Sequence, residues 1–285
     1  MEVRWSSIMG LPSFITPIMG KKKGYLPLTT AWIAATSETD TTILNALNTF
    51  EAGLIANSLT GKFNAIYPMV GGTSGKHAFN FMNTSLYSLT FNGGWTHSAT
   101  GALPNGTNAN ANTGINPDTI LTPNNNHLSF YSRSNTAVGV SPNFKVSIGA
   151  FSSGAPLRQL SLYLKANGTG NAIYANSSGT TNQYPSGAST DSRGWFIGNK
   201  SANSIGGLTV SKNGTSLASN SALPTQTLYP ISTNIFISGN GFGGTVQYDD
   251  KECAMVTIGT SLTSGEISTL YTLIQAMQTS LSRNV

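Results

Sequence analysis

The chain has 285 residues, only 9% of them charged against roughly a quarter in ordinary soluble proteins, and its 15 basic and 10 acidic side chains leave a net charge of +5. Polarity comes instead from Asn, Ser, Thr and 31 glycines, while 39% hydrophobic and 9% aromatic content argues for a folded body over a disordered one. A single cysteine excludes an internal disulfide framework, no run of about 18 apolar residues marks a membrane span, and no basic face with interleaved aromatics marks a nucleic-acid partner.

Residues 1–30 form the first unit, rich in Met, Ile and Pro without a clean period. They read as an anchoring arm that buries Trp5, Ile8, Met9, Phe14, Ile15 and Ile18 against another chain, because so many large apolar groups left in water would aggregate. Pro12 and Pro17 interrupt the apolar stretch, and no n-region with adequate positive charge precedes it, so it does not read as a secretory signal. The cluster Lys21-Lys22-Lys23 reads as a solvated or subunit-facing charge run. Residues 31–72 read as a small helical subdomain. Asp40 is a good N-cap, and Ile43, Leu44, Leu47, Phe50, Leu54 and Ile55 keep helical spacing up to Asn57-Ser58. A second short helix is expected from Ser58 through Phe63, Ile66 and Tyr67, stopped by Pro68.

Gly71-Gly72 opens a long β region, with the sandwich domain expected over 73–285. Strands are predicted at 77–82, 88–92, 127–132, 145–151, 159–165, 194–198, 208–212, 234–238 and 252–258, and Asn213-Gly214 is a strong hairpin signal. Short strands with no helices between them imply a mainly β, antiparallel sandwich or barrel. The last strand is nearly all apolar, as when both faces are covered, and Cys253 within it reads as a small core residue. Thr263-Ser264-Gly265-Glu266 matches a capping box, and Ile267, Leu270, Tyr271, Ile274, Met277 and Leu281 give a C-terminal helix over 263–281 one apolar stripe.

Chemistry is sparse. Asp249-Asp250-Lys251-Glu252 is the one dense acidic segment, readable as a cation site, an acid pair or simply a polar strand start. The histidines His77, His97 and His127 lack metal-ligand spacing, and no nucleophile elbow or phosphate loop is present. No catalytic residue, metal or cofactor is therefore expected. The segment from Asn92 to Asn108 places Trp95 and His97 among amides and hydroxyls, so Trp95, His97, Asn105 and Asn108 are the candidates for a glycan site, by ring stacking and hydroxyl recognition. The bland alternative has Trp95 filling the core and Pro104-Asn105-Gly106 making a turn.

The string SLTSGEISTLY resembles the last element of concanavalin A-like (laminin G-like) jelly-roll domains. TDTTILNALNTFEAGLIANSLTGKFNAIYPMVGGTSGKHAFNFMN, FNGGWTHSATGALPNGTNANANT and ECAMVTIGTSLTSGEISTLYTLIQAMQTSLSRNV together resemble a group of virion-associated proteins of tailed bacteriophages, especially those of Bacteroidetes hosts. That resemblance implies an antiparallel jelly-roll β-sandwich in a non-enzymatic structural protein, exposed on the virion as a fibre, decoration or baseplate part. The expected partners are other virion proteins through residues 1–30, further copies in a homo-oligomer such as a trimer, and a host-surface glycan. The alternative is a carbohydrate-binding, receptor-recognising module of the particle.

Overall fold

The computed structural model describes residues 24–140, 143–152, 158–166, 170–178, 184–223, 233–240 and 247–285. Two helices, α1 (Pro27–Thr36) and α2 (Thr41–Ala56), precede strand β1 (Phe63–Tyr67) and the one-turn helix α3 (Ser74–His77). Next come β2 (Thr90–Asn92), β3 (Trp95–Ser98), β4 (Gly101–Pro104), β5 (Asn110–Asn112), the one-turn helix α4 (Pro117–Ile120) and β6 (Asn126–Ser132). The chain continues through β7 (Ile148–Ser152), β8 (Arg158–Ala166), β9 (Asn171–Ser178), β10 (Ser186–Ala188) and β11 (Gly194–Lys200). It then forms β12 (Leu208–Lys212), β13 (Thr215–Ser219), β14 (Phe236–Ile237), β15 (Cys253–Gly259) and helix α5 (Ser264–Ser280).

These strands form two antiparallel sheets. One runs β13-β12-β11-β6-β15-β4-β3, with β1 also on β15; the other runs β10-β9-β8-β7-β14-β5-β2. β4 meets only the start of β15, at Ala102 and Cys253, which leaves the rest of that edge to β1, from Phe63 opposite Gly259 to Tyr67 opposite Val256. The core between the sheets holds Leu128, Phe130, Phe196, Val256 and Ile258 from one side and Ile148, Leu160, Leu162 and Tyr174 from the other.

β15 is buried throughout, for two reasons that its sequence carries together. Cys253, Val256 and Ile258 face the inter-sheet core, whereas Ala254 and Met255 both join the cluster beneath the helices. The register shift between Cys253 and Met255 is a bulge, which puts two successive residues on one face. The outer face of this sheet is thus a second core, in which Ile66, Tyr131, Trp195 and Ile197 meet Trp32, Leu47, Phe50 and Leu54 and the α5 stripe of Ile267, Leu270, Ile274 and Met277. At about 1.5–3 kcal/mol for each fully buried aliphatic side chain, the four α5 residues contribute at most about 6–12 kcal/mol before entropy is counted. α5 starts where its capping box requires: Thr263 Oγ1 accepts from the Glu266 amide at 3.2 Å, and the Thr263 amide donates to Glu266 Oε2 at 2.7 Å. Beyond it the buried Arg283 guanidinium donates to the carbonyls of Met69, Pro68 and Ala254.

Several expectations need correction. The segment expected as a second helix is a short 3-10 turn, Thr60–Lys62, followed by β1, because β15 offers a free edge and both faces of residues 63–67 find apolar cover. Residues 77–82 are no strand: Thr73 caps α3, and Phe79, Phe81 and Met82 follow it as irregular chain packed under the helices. Pro27 opens α1, so residues 27–30 of the expected arm are helix, with Thr29 buried against α2 and Tyr25 and Leu28 packed on the same cluster. The helices of residues 31–72 cover the outer face of the first sheet, and β1 belongs to it. The docking residues Trp5, Ile8, Met9, Phe14, Ile15 and Ile18 lie outside the described residues.

Candidate functional site

The structure gathers the four glycan-site candidates at one end of the β3–β4 hairpin. Trp95 and His97 stand two apart on β3, rings 6.2 Å apart and 26° from parallel, and Phe91 of β2 meets both edge-on. The Trp95 indole N–H donates to the carbonyls of Asn92 and Asn110, at 3.0 and 3.3 Å, and its ring packs on the inter-sheet core. Asn105 Oδ1 accepts from the amides of Thr107, Asn108 and Ala109, while its Nδ2 donates to Asn108 Oδ1, which also accepts from the Gly94 amide. Gly93 lies in the left-handed region, φ 75°, where a Cβ would strike the Asn108 backbone. The polar capacity of this corner is thus largely used within the chain, holding the turn that joins the two sheets.

His97 Nδ1 lies 3.0 Å from Nδ1 of the buried His77, so one ring donates and the other must accept, which requires a neutral acceptor. Burial, followed by the charges of His97 and Arg283, pushes His77 down to about 3, and burial lowers His97 as well. His127 is separate, on β6 opposite Gly259 of β15, with Nδ1 donating to the Thr260 carbonyl and Nε2 facing Thr257 Oγ1.

The acidic segment is internally paired. Asp249 and Lys251, both fully buried, lie 2.8 Å apart; Asp250 pairs with Lys145 at 2.6 Å and Glu252 with Arg133 at 3.0 Å. Among the described residues no group of three or more His, Cys, Asp or Glu is placed to hold a metal ion.

A further concavity, lined by hydroxyls, lies away from these candidates. A groove of about 460 Å³ lies between the N-terminal end of α5 and the outer face of the β11–β12–β13 edge. Its floor is Asn199 of β11, Thr209 and Ser211 of β12 and Ser216 of β13; its wall is residues 260–264 with Glu266 and Ile267. The Asn213-Gly214 turn, with φ 49° and 77°, is the primed turn that the flanking strand twist favours, and it sets Ser216 opposite Ser211. Asn199 is held by two hydrogen bonds to the Leu262 backbone, at 2.7 and 3.1 Å, and Asn125 Oδ1 accepts from the Ser261 amide and hydroxyl. Among the described residues the hydroxyls of Thr209, Ser211, Ser216 and Ser264 make no hydrogen bond. At the mouth Lys62 and Glu266 pair at 2.9 Å. Burial acts to raise the Glu266 carboxyl, but the Thr263 amide and Lys62 together hold it below the usual carboxylate range. The alternation Leu208-Thr209-Val210-Ser211 already signalled a polar face on β12; that a helix would stand over it was not visible.

No protein-family model matches the sequence, and no curated protein matches it. Among solved structures it is similar to domain 4 of AbnA, an extracellular GH43 arabinanase from Geobacillus stearothermophilus, solved in complex with arabinotriose, at 13% identity and a TM-score of 0.51, covering 73% of this chain and 98% of that one. The shared fold is an antiparallel jelly-roll β-sandwich of two sheets. Weaker likenesses are a Trypanosoma rangeli sialidase mutant (12% identity, TM-score 0.49, 82% of this chain) and the binding domain of botulinum neurotoxin DC in complex with SialylT (12%, 0.43, 67%). The chain spans 38% of the sialidase and 48% of the toxin domain. At 13% identity the arabinanase domain shares the fold alone with this chain.

Proposed function

We propose that this jelly roll is a non-catalytic carbohydrate-binding module that seats a saccharide in the groove beside α5. The observation that carries the reading is the row of uncommitted hydroxyls on Thr209, Ser211, Ser216 and Ser264 in a concave site of about 460 Å³. Each hydroxyl both donates and accepts, as sugar hydroxyls do, and three of the four stand on paired strands, so little ordering is required on binding. The arabinanase domain of like fold, which holds arabinotriose, supports the choice of first probe.

The test is a glycan array followed by isothermal titration with arabinotriose and with array hits. Ser216→Trp, at an exposed strand position, fills the groove without entering either core, and is expected to abolish binding while leaving the melting temperature in place. Binding that survives Ser216→Trp but is lost in Trp95→Ala would move the site to the β3–β4 corner. Absence of any glycan ligand would sink the reading.

The three-segment resemblance to tailed-phage proteins supports placing this module on a virion, as a fibre, decoration or baseplate part of a homo-oligomer, displayed towards a host-surface glycan. In this reading the residues before α1 join it to neighbouring virion proteins. Removing residues 1–23 is expected to leave a folded module that no longer enters particles; normal incorporation would overturn the docking role.

A further inference from the structure

Resting on the carbohydrate reading, we infer that the groove is selective for neutral saccharides and turns away acidic ones, and that Glu266 sets this selectivity. The N-terminal end of a long helix ordinarily attracts anions through its unpaired amides and positive dipole end. Here part of that attraction is answered from within, by the helix's own carboxylate. The Thr263 amide is held by Glu266 Oε2, the Glu266 amide by Thr263 Oγ1, and the Glu266 carboxylate lies where an incoming anion would sit. Lys62, the other charged side chain lining the groove, is paired with the same carboxylate at 2.9 Å.

Both ends of the Asn199 amide are committed to the Leu262 backbone, and Asn125 Oδ1 is committed to Ser261. What remains for a ligand is chiefly hydroxyl groups, the neutral Nδ2 of Asn125 and the edge of Ile267. A uronic or sialic acid carboxylate entering this space would give up water, find no free cation and face Glu266. A neutral sugar would meet hydroxyls on every side. Like charges brought together without compensation cost enough to discriminate by roughly tenfold or more.

Isothermal titration of the whole protein with arabinotriose and with trigalacturonic acid, at low and at 0.15 M salt, measures the ratio of the two affinities. The wild type is expected to prefer the neutral trisaccharide by roughly tenfold or more, and more strongly at low salt. Glu266→Gln keeps the capping box, since Gln serves at that position, but removes the carboxylate and frees Lys62; the ratio is expected to fall by roughly tenfold. Lys62→Met, which leaves Glu266 unpaired, is expected to raise it. Thermal melts of both variants establish that they are folded.

Equal affinity for the two sugars, or a ratio that neither variant moves, overturns the selectivity and leaves carbohydrate binding intact. Should neither trisaccharide bind, the array decides: hits confined to neutral glycans support the inference, and hits dominated by sialylated or uronic glycans overturn it. An array without hits removes the underlying reading and the inference with it.

Discussion

Truncating Glu51 to alanine tests how firmly the N-terminal helix belongs to this molecule. Residue 26, the N-cap of α1, provides no side-chain acceptor, so the first-turn amides need partners from elsewhere. Glu51, 1% exposed on α2, supplies them: its Oε1 accepts from the Leu28 amide at 2.8 Å, and its Oε2 from the Thr29 amide at 2.8 Å and hydroxyl at 2.7 Å. One turn earlier on the same face, Asn48 accepts from the Leu26 amide at 2.7 Å. An ordinary cap is worth about 1 kcal/mol, whereas removing the acceptor of buried charge-assisted bonds leaves each donor at a cost of about 1–3 kcal/mol. Because part of that cost is relieved by water entering the emptied site, Glu51→Ala is expected to destabilise by about 3–4 kcal/mol, and Glu51→Gln, which keeps one acceptor oxygen, by about 2 kcal/mol. Urea unfolding followed by tryptophan fluorescence measures both, and hydrogen exchange should show lost protection confined at first to residues 28–36. A Glu51→Ala cost below about 1 kcal/mol, or unchanged α1 protection, would refute the reasoning.

Acid should loosen the fold before the carboxylates titrate. His77 and His127 are held by burial at about 3 and about 4, below the ordinary 6.5, so the unfolded chain takes up protons that the native one refuses. Their contribution is complete above pH 6.5 and shrinks as pH falls, by about 2 kcal/mol each at pH 5, and a urea midpoint that stays flat between pH 7.5 and 5 would contradict this. Lys251→Met strands the buried Asp249 carboxylate, still bonded to Ser147 and the Asp250 amide, and is expected to cost about 3–5 kcal/mol; adding Asp249→Asn should recover most of it, as a double-mutant cycle by chemical denaturation will read. Gly198→Ala drives a Cβ into the buried Tyr174 ring, whose hydroxyl is tied to Asn126, and a loss of about 1–3 kcal/mol in the same assay is expected, with no loss arguing that the two sheets can part locally.

Local signals carried the parts of the fold that local physics decides. The α5 capping box, the α2 spacing after Asp40 and the Asn213-Gly214 turn each depend on residues a few positions apart, and each stands where its pattern put it. The failures share the opposite cause. Phe63, Ile66 and Tyr67 fit helical steps over a segment too short to choose, and the choice was made by the vacant edge of β15, nearly two hundred residues later. Pro27 is a good first helical residue, but the acceptor that lets α1 begin there belongs to α2. Trp95 and His97 share a face of β3 through their two-residue spacing, yet the pairing of His97 with His77 spans the loop before β2 and has no sequence signature. The groove was unreadable for the same reason: its hydroxyl floor is a pattern on two strands, but its wall is a helix placed by packing alone.

β15 has a consequence for how the molecule comes into being. It lies between β6 on one side and β1 and β4 on the other, so three earlier stretches of chain wait for a segment made after all of them. Until residues 253–259 arrive, β1 has no neighbour to bond, β6 exposes an unpaired edge, and the helices have no floor to lie on. Fragments ending before this strand should therefore cling to one another instead of folding, and assembly of the whole should be slow and all at once, the last-made strand serving as the keystone.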